Sequence, residues 1–403
     1  MRWLLAAVLG SLACSRLPAA GEWADRVADT LTFSSPDGVF RAHGSGLLSL
    51  TGYQGDQENP GMVFTTGDSL LSPRLTLFLD AQAGTRVSGF LQARADRGFD
   101  PADGQKKVRL DEYAIRWAWA DDGSCNLEAG KFATVIGNWV ARHDEWQNPF
   151  VNAPLPYEYL TGIDDANAAT VRSDLEPAVG AEAYEYVPII WGPSYASGAA
   201  VTGRHGRFDY AVEVKNTGPS SRPATWSLGR VNFAHPAYNF HVGFRPDLRL
   251  KFGFSASESV YLQPSAVTTL PPGRRLTDYR ERLLGQDFSF EWHHFQLWAE
   301  LFEAQFSVPG IGEARTVAGY VEMRWKLTPQ LSVAGRVNRQ VFSSLDDSGG
   351  VLPWSINVTR VDVAAAWRCT TQSLLKLQVS TGRIPSVHES IRSTYAAQFI
   401  LRF

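Results

Sequence analysis

Polar and apolar residues alternate with a period of two along almost the whole chain. Phe208, Tyr210, Val212 and Val214 share one face, and Arg207, Asp209, Glu213 and Lys215 share the other. Tyr238, Phe240, Val242 and Phe244 oppose Asn239, His241 and Arg245; Leu250, Phe252, Phe254 and Ala256 oppose Arg249, Lys251 and Ser255. The same division recurs over Phe288–Trp292, Val317–Lys326 and Leu375–Ser380. A period of two predicts extended strands with one apolar and one charged face. The chain ends inside such a strand: Tyr395, Ala397, Phe399, Leu401 and Phe403 fall on one face, and the last residue is aromatic.

The connections come in two lengths that take turns. Tight turns are predicted at 82–85, 121–124, 205–206, 246–248, 293–294, 328–330 and 369–373. Between them lie longer polar stretches at 54–69, 96–106, 135–185, 217–235, 263–281, 307–315, 344–353 and 383–392. Short and long in alternation describes an up-and-down meander whose two ends face different surroundings. The count between turns is about sixteen strands, an even number.

Of the 403 residues, 12% are aromatic, including 13 Trp, yet the mean hydropathy is −0.18. Aromatic richness without net hydrophobicity suits a sheet that is apolar outside and polar inside. The 38 Lys+Arg and 41 Asp+Glu give a formal charge of −3, without the basic face of a nucleic-acid binder. Residues 1–20 carry Arg2, the apolar run from Trp3 to Ala13 and a small-residue exit at 17–20, the pattern of a Sec signal peptide. No later stretch reaches the roughly 18 apolar residues of a membrane helix. Trp23, Val27 and Leu31 make one helical stripe, so 21–38 is expected to be a helical segment in the periplasm or the lumen, with the barrel over 39–403. In lipid every backbone polar group needs a partner, so a chain without a spanning helix can cross only as a closed barrel. The last strand must then pair with the first, near Val39–Tyr53. Cys125 and Cys369 fall in turns about six strands apart, too far for a disulfide.

A signal peptide, an alternating meander and a last strand ending on Phe403 together resemble the Gram-negative outer-membrane porins. The hairpin DEYAIRWAWADDGSCNLEAGKF (111–132) is similar to that of the phosphate-selective porin O/P superfamily. The fold expected is all-β: a transmembrane up-and-down antiparallel β-barrel of about sixteen strands, whose third extracellular loop folds inward. The resemblance implies passive diffusion of small hydrophilic solutes or ions, outer-membrane lipid around the barrel, and Phe403 as the signal for the barrel assembly machinery. It also implies a homotrimer. A channel specific for one anion, sugar or siderophore keeps the same architecture; a secreted, soluble, glycan-binding β-protein is the reading from another class.

The longest connection, 135–185, ranks third on the long side and is too long to float unstructured. Its Asn148-Pro149-Phe150 and Pro154-Leu155-Pro156-Tyr157 segments are expected on the inner wall, with Arg142, His143, Asp144, Glu145, Glu158, Asp164 and Asp165 facing the opening. Parity points Arg94, Arg116, Arg249, Lys251, Arg324, Arg336, Arg360 and Lys376 inward. It does the same for Glu112, Glu128, Glu213, Asp287, Glu291, Glu300, Glu322 and Asp362. No Lys occurs between Lys131 and Lys215, so the mouth reads as acidic, and weak cation preference or little selectivity is expected. Arg142-His143-Asp144-Glu145 has no spaced further ligand for a metal, none of the 8 His adjoins a G-x-S-x-G nucleophile, and Gly130-Lys131 lacks the rest of a P-loop. No enzymatic activity and no cofactor are expected.

Overall fold

The computed structural model describes residues 27, 30–55, 69–96, 107–175, 186–228, 231–347, 350–384 and 390–403. The expected signal peptide, 1–20, and residues 21–26 and 28–29 of the 21–38 segment lie outside the described residues; Val27 and Thr30 are helical. The chain then forms β1 (Thr32–Ser34), β2 (Phe40–Gly55), β3 (Ser69–Ala83), β4 (Val87–Asp96), β5 (Lys107–Ala118) and β6 (Asn126–Phe132). After a long connection come β7 (Ala196–His205), β8 (Phe208–Lys215), β9 (Ala237–Phe244) and β10 (Leu250–Val260). The remaining wall is β11 (Arg280–Trp292), β12 (Phe295–Val308), β13 (Gly312–Lys326) and β14 (Leu331–Phe342), then β17 (Val358–Arg368), β18 (Ser373–Ile384) and β19 (Ser390–Arg402). A small hairpin, β15 (Ser344–Asp347) with β16 (Gly350–Pro353), stands apart from it.

Every neighbouring pair is antiparallel, and β19 closes on β2 through Thr394↔Gly55 to Arg402↔Leu47. The wall is a closed sixteen-strand barrel, as the alternation predicts. β1 pairs with β2 at Thr32↔His43 to Ser34↔Arg41, below the point where β19 ends, so the overhanging edge of β2 is covered by the chain's own start. The Phe403 ring lies over Gly46, and the two backbones exchange hydrogen bonds of 2.8 and 3.0 Å. A side chain larger than hydrogen at Gly46 would displace the Phe403 ring.

Outward positions are exposed and apolar: Phe240, Val242, Phe252, Phe254, Leu301, Val321, Met323, Val361, Val363 and Leu377. Trp117, Trp292, Trp325 and Trp367 stand beside the tight turns. An exterior this apolar is built for lipid, with an aromatic girdle at the short-turn end. All seven tight turns are found. The long side differs in two places. The stretch 307–315 is only the three-residue connection 309–311, because β12 and β13 extend to meet at a turn with Gly310 and Gly312 at positive φ. The third connection is longer than read, spanning 133–195, because β7 starts only at Ala196. Much of 54–69 and 96–106 lies outside the described residues. Cys125 and Cys369 sit in the β5–β6 and β17–β18 turns.

Candidate functional site

The described residues of the 133–195 connection, 133–175 and 186–195, pack against side chains that point into the barrel. It enters over β11 and β12, where Gly137 takes φ +74° and has no room for a Cβ beside Glu300 and Tyr157. Glu300, buried, accepts hydrogen bonds from the backbone N–H of Asn138 and of Trp139 (2.9 Å) and from the Tyr157 hydroxyl (2.7 Å). Trp139, Leu155 and Tyr157 continue the apolar cluster with Phe302, Phe306, Tyr320, Phe342 and Trp354, so one side of the interior is filled. Phe150 packs on Ala334 and Ala364 of the wall. Trp146 reaches across to the cluster of Leu47, Ala366, Leu374 and Ile400, with Arg402 4.4 Å above its ring.

Two chains of alternating charge fasten the segment. In the first, Arg142 bonds Glu322, Glu322 meets Arg336 (3.3 Å), Arg336 meets Asp362 (2.9 Å), Asp362 meets Arg360 (3.1 Å), and Arg360 meets Glu158 (2.5 Å). The chain begins and ends in the loop and runs through β13, β14 and β17, where Glu322, Arg336 and Asp362 are cross-strand neighbours. In the second, Glu145 meets Arg74 (2.9 Å), Arg74 meets Asp96 (2.8 Å), Asp96 bonds Arg109, and Asp111 holds both Arg109 (2.6 Å) and Arg94 (3.2 Å). Buried charges are tolerable only when paired and hydrogen-bonded in this way. Burial pushes the Glu145 carboxyl up, but Arg74 and Arg94 outweigh it and hold it at about 2. For Glu158 burial wins over Arg360 and lifts the carboxyl to about 7.

These contacts reverse one expectation. Arg142, Glu145, Glu158 and Asp165 are buried against the wall or neighbouring loops and do not face an opening. Arg142, Glu145 and Glu158 meet wall partners of opposite charge, where desolvation is offset, and Asp165 accepts a hydrogen bond from the Gln263 side-chain amide (2.6 Å). His143 donates or accepts through Nε2 at 2.7 Å from the Tyr195 hydroxyl, and Asp144 accepts the backbone N–H groups of Trp146 and Gln147, a local turn. Lys376, expected as an inward wall charge, and Lys131 and Lys215 clamp backbone carbonyls: Lys131 that of Leu110 (2.6 Å), Lys215 that of Phe132 (2.7 Å), and Lys376 those of Glu145, Asn148 (2.7 Å) and Phe150 (3.3 Å).

The other wall residues line what stays open. A cavity of about 790 Å³ lies between the start of the loop and the tight-turn ends of β3–β10. Arg116 with Glu128 (3.0 Å), Lys251 with Asp209 (3.0 Å), and Glu112, Glu213, His143 and His241 line it. Arg324 bonds the Gln296 side chain (2.7 Å) and lies beside Trp298. Arg249, expected on the charged face of a strand, sits exposed in the turn just before β10, because that strand begins at Leu250. Among the described residues no group of three or more His, Cys, Asp or Glu could hold a metal ion.

The fold defines the class: a closed, sixteen-strand, up-and-down barrel with an apolar exterior. Solved structures of that shape include OmpF of Salmonella typhi in complex with daunomycin, at 12% identity and a TM-score of 0.56, covering 92% of this chain and 100% of the other. The outer-membrane channel DcaP of Acinetobacter baumannii matches at 11% and 0.55 (92% and 99% covered). The anion-selective porin of Comamonas acidovorans matches at 8% and 0.56 (90% and 100% covered). No family model and no curated protein sequence matches the chain.

Proposed function

We propose that the protein is an outer-membrane porin, a non-enzymatic channel for passive diffusion of small hydrophilic solutes or ions. The observation that carries this is the combination of a closed barrel, a lipid-compatible exterior and a charged interior narrowed by one anchored loop. An interior so rich in ionised groups needs water beside it, and the charged cavity under the loop provides that space. The DcaP channel and the anion-selective porin of Comamonas acidovorans share this shape, which fits the reading. Chain export by the 1–20 segment, assembly through Phe403 and a homotrimer belong to the same proposal.

Selectivity is proposed to be weak. Each charge chain alternates sign along its length, and Arg116–Glu128 and Lys251–Asp209 pair on the cavity wall, so neither sign dominates a continuous surface. Purified protein in a planar bilayer under a KCl gradient should show stepwise conductance and a reversal potential near zero. Absence of any conductance while the barrel is intact would remove the channel reading. Saturation by a single sugar or anion would replace the general porin with a specific one.

A further inference from the structure

The tight-turn mouth of the barrel is uneven in charge. On its β3–β10 side bases and acids pair, as Arg116 does with Glu128 and Lys251 with Asp209. The opposite arc, from β13 to β19, carries only bases on the tight-turn side of the buried row of Glu322, Arg336 and Asp362. Arg324 and Lys326 of β13, Arg368 of β17 and Arg402 of β19 point inward there. Among the described inward residues of that arc none is Asp or Glu. The turns at 327–330 and 369–372 add no acid.

Arg324, Arg368 and Arg402 converge on the elbow of the anchored loop. Arg402 lies 4.4 Å and Arg368 5.7 Å from the centre of the Trp146 ring. Arg324 stands 5.5 Å from the Trp298 ring and donates to the carbonyl of Gln147, the residue after Trp146 (3.4 Å). Arg368 is near enough to both of the others for their charges to repel. The acids of the neighbourhood are engaged elsewhere or turned away. Glu291 of β11 accepts from the Gln296 amide (3.0 Å), and the Gln296 oxygen faces Arg324 (2.7 Å). Asp144 folds back on the N–H groups of Trp146 and Gln147 (2.8 Å each). The terminal carboxylate belongs to Phe403, whose ring lies over the outward Gly46. None of the three arginines has an ion-pair partner among the described residues, and Arg368 and Arg402 are exposed.

Like charges held this close repel, and the indole faces offset part of that repulsion. A guanidinium fork matches carboxylate and phosphate oxygens bidentately. Chloride meets one such group at a time in water, whereas an anion with several charged oxygens bridges two or three and gains from each. We propose that Arg324, Arg368 and Arg402 form a binding site at the tight-turn mouth for a small oxyanion bearing two or more negative charges, a polycarboxylate or a polyphosphate. The site rests on the porin reading and deepens it by naming a solute class. The bound anion ties β13, β17 and β19 together under Trp146 and obstructs the passage beside the loop while it stays. Monovalent ions pass without being held, so KCl selectivity stays weak.

The test uses purified protein in planar bilayers at about 0.1 M KCl, where charges still act over roughly 10 Å. Citrate, pyrophosphate and acetate are added to one compartment and then to the other. Citrate and pyrophosphate should interrupt the current in discrete closures, at lower concentration from the compartment facing the tight turns, and acetate should not. Block by only one of the two supports the site and assigns it to carboxylates or to phosphates. The Arg368→Gln/Arg402→Gln variant should need roughly tenfold more anion for the same block. Arg402→Lys, which keeps the charge and loses the fork, should weaken the block by less, and it serves alone if the double variant does not assemble. Arg249→Gln, in the turn before β10, should block as wild type does. Equal block of wild type and the arginine variants, equal block from both compartments, or block by acetate at the same concentration would overturn the site. A loss in Arg249→Gln as large as in the double variant would assign the effect to the general field of the mouth and also overturn it. Conductance without block removes the site alone, while intact barrels without any conductance would undo the porin reading beneath it.

Discussion

Lys376→Met tests the anchoring of the loop by removing one buried ammonium from the barrel interior. Lys376 is buried on β18, and its ammonium donates to the carbonyls of Glu145, Asn148 and Phe150. Its partners are neutral backbone, so methionine of similar reach removes the clamp without stranding a buried carboxylate. Hydrogen bonds to charged groups contribute about 1.5–3 kcal/mol each. Against three of them stands the several kcal/mol that desolvating an ammonium costs. A net loss of about 3 kcal/mol in docking of residues 145–150 follows, on the order of a hundredfold in the docked-to-undocked ratio. Arg336 still holds Asn152 (3.0 Å) and Ala153 (3.0 Å), so the release should be local. In planar bilayers the variant should show larger mean conductance and fast flicker, with an unchanged heat-modifiable band. If conductance and open-channel noise match the wild type, the segment does not narrow the path, and the carbonyl clamp is only a packing feature.

The Glu158 carboxyl, at about 7 in the docked loop against an ordinary value near 4.3, binds its proton more tightly docked than free. Its contribution is therefore full below pH ~4.3 and lost as pH rises through about 7, on the order of 3 kcal/mol. Open-channel noise should grow between pH ~4.5 and about 7, and Glu158→Gln should flatten that profile; a variant profile parallel to wild type would refute the assignment. Glu145, held at about 2, acts in the opposite sense, losing its contribution only as pH falls from about 4 through 2. Deleting Phe403 should lower the yield of assembled barrel. Gly46→Leu, which evicts the ring and leaves the terminal residue in place, should lower thermal stability with less effect on yield. Equal yields and melting points for both variants and wild type would deny Phe403 either role.

The barrel was legible because its two rules, period two and alternating loop length, are enforced at every strand by lipid outside and water inside. The alternation at Tyr395–Phe403 and the pairing of the last strand with the first follow from those rules alone. The connection at 309–311 was not legible. Polar residues such as Glu313 and Arg315 read as a loop, but they belong to a strand that rises past the apolar band into the headgroup level, where outward charge is tolerated. The helical stripe near Val27 gave no hint that Thr32–Ser34 would extend the edge of β2.

The interior shows where parity breaks down and why. Counting back from Arg116 and Glu112, Arg109 and Asp111 should face lipid. Instead the register between β4 and β5 shifts at Gln92/Ala93, so that Gln92 pairs with Glu112 and Ala93 with Leu110. Asp111 is the extra residue of a bulge, and everything before it on β5 changes side. Val108 is then exposed outward while Arg109 turns inward to Asp96 and Asp111. A single inserted residue thus converts two charges that lipid would have excluded into two links of the chain that holds Glu145. The lysines escaped reading for a related reason. An inward Lys looks like a pore charge, and only the path of the loop reveals three carbonyls within reach of Lys376. Sequence periodicity reports which face a residue takes; what it meets on that face is decided by a segment more than two hundred residues away in the chain.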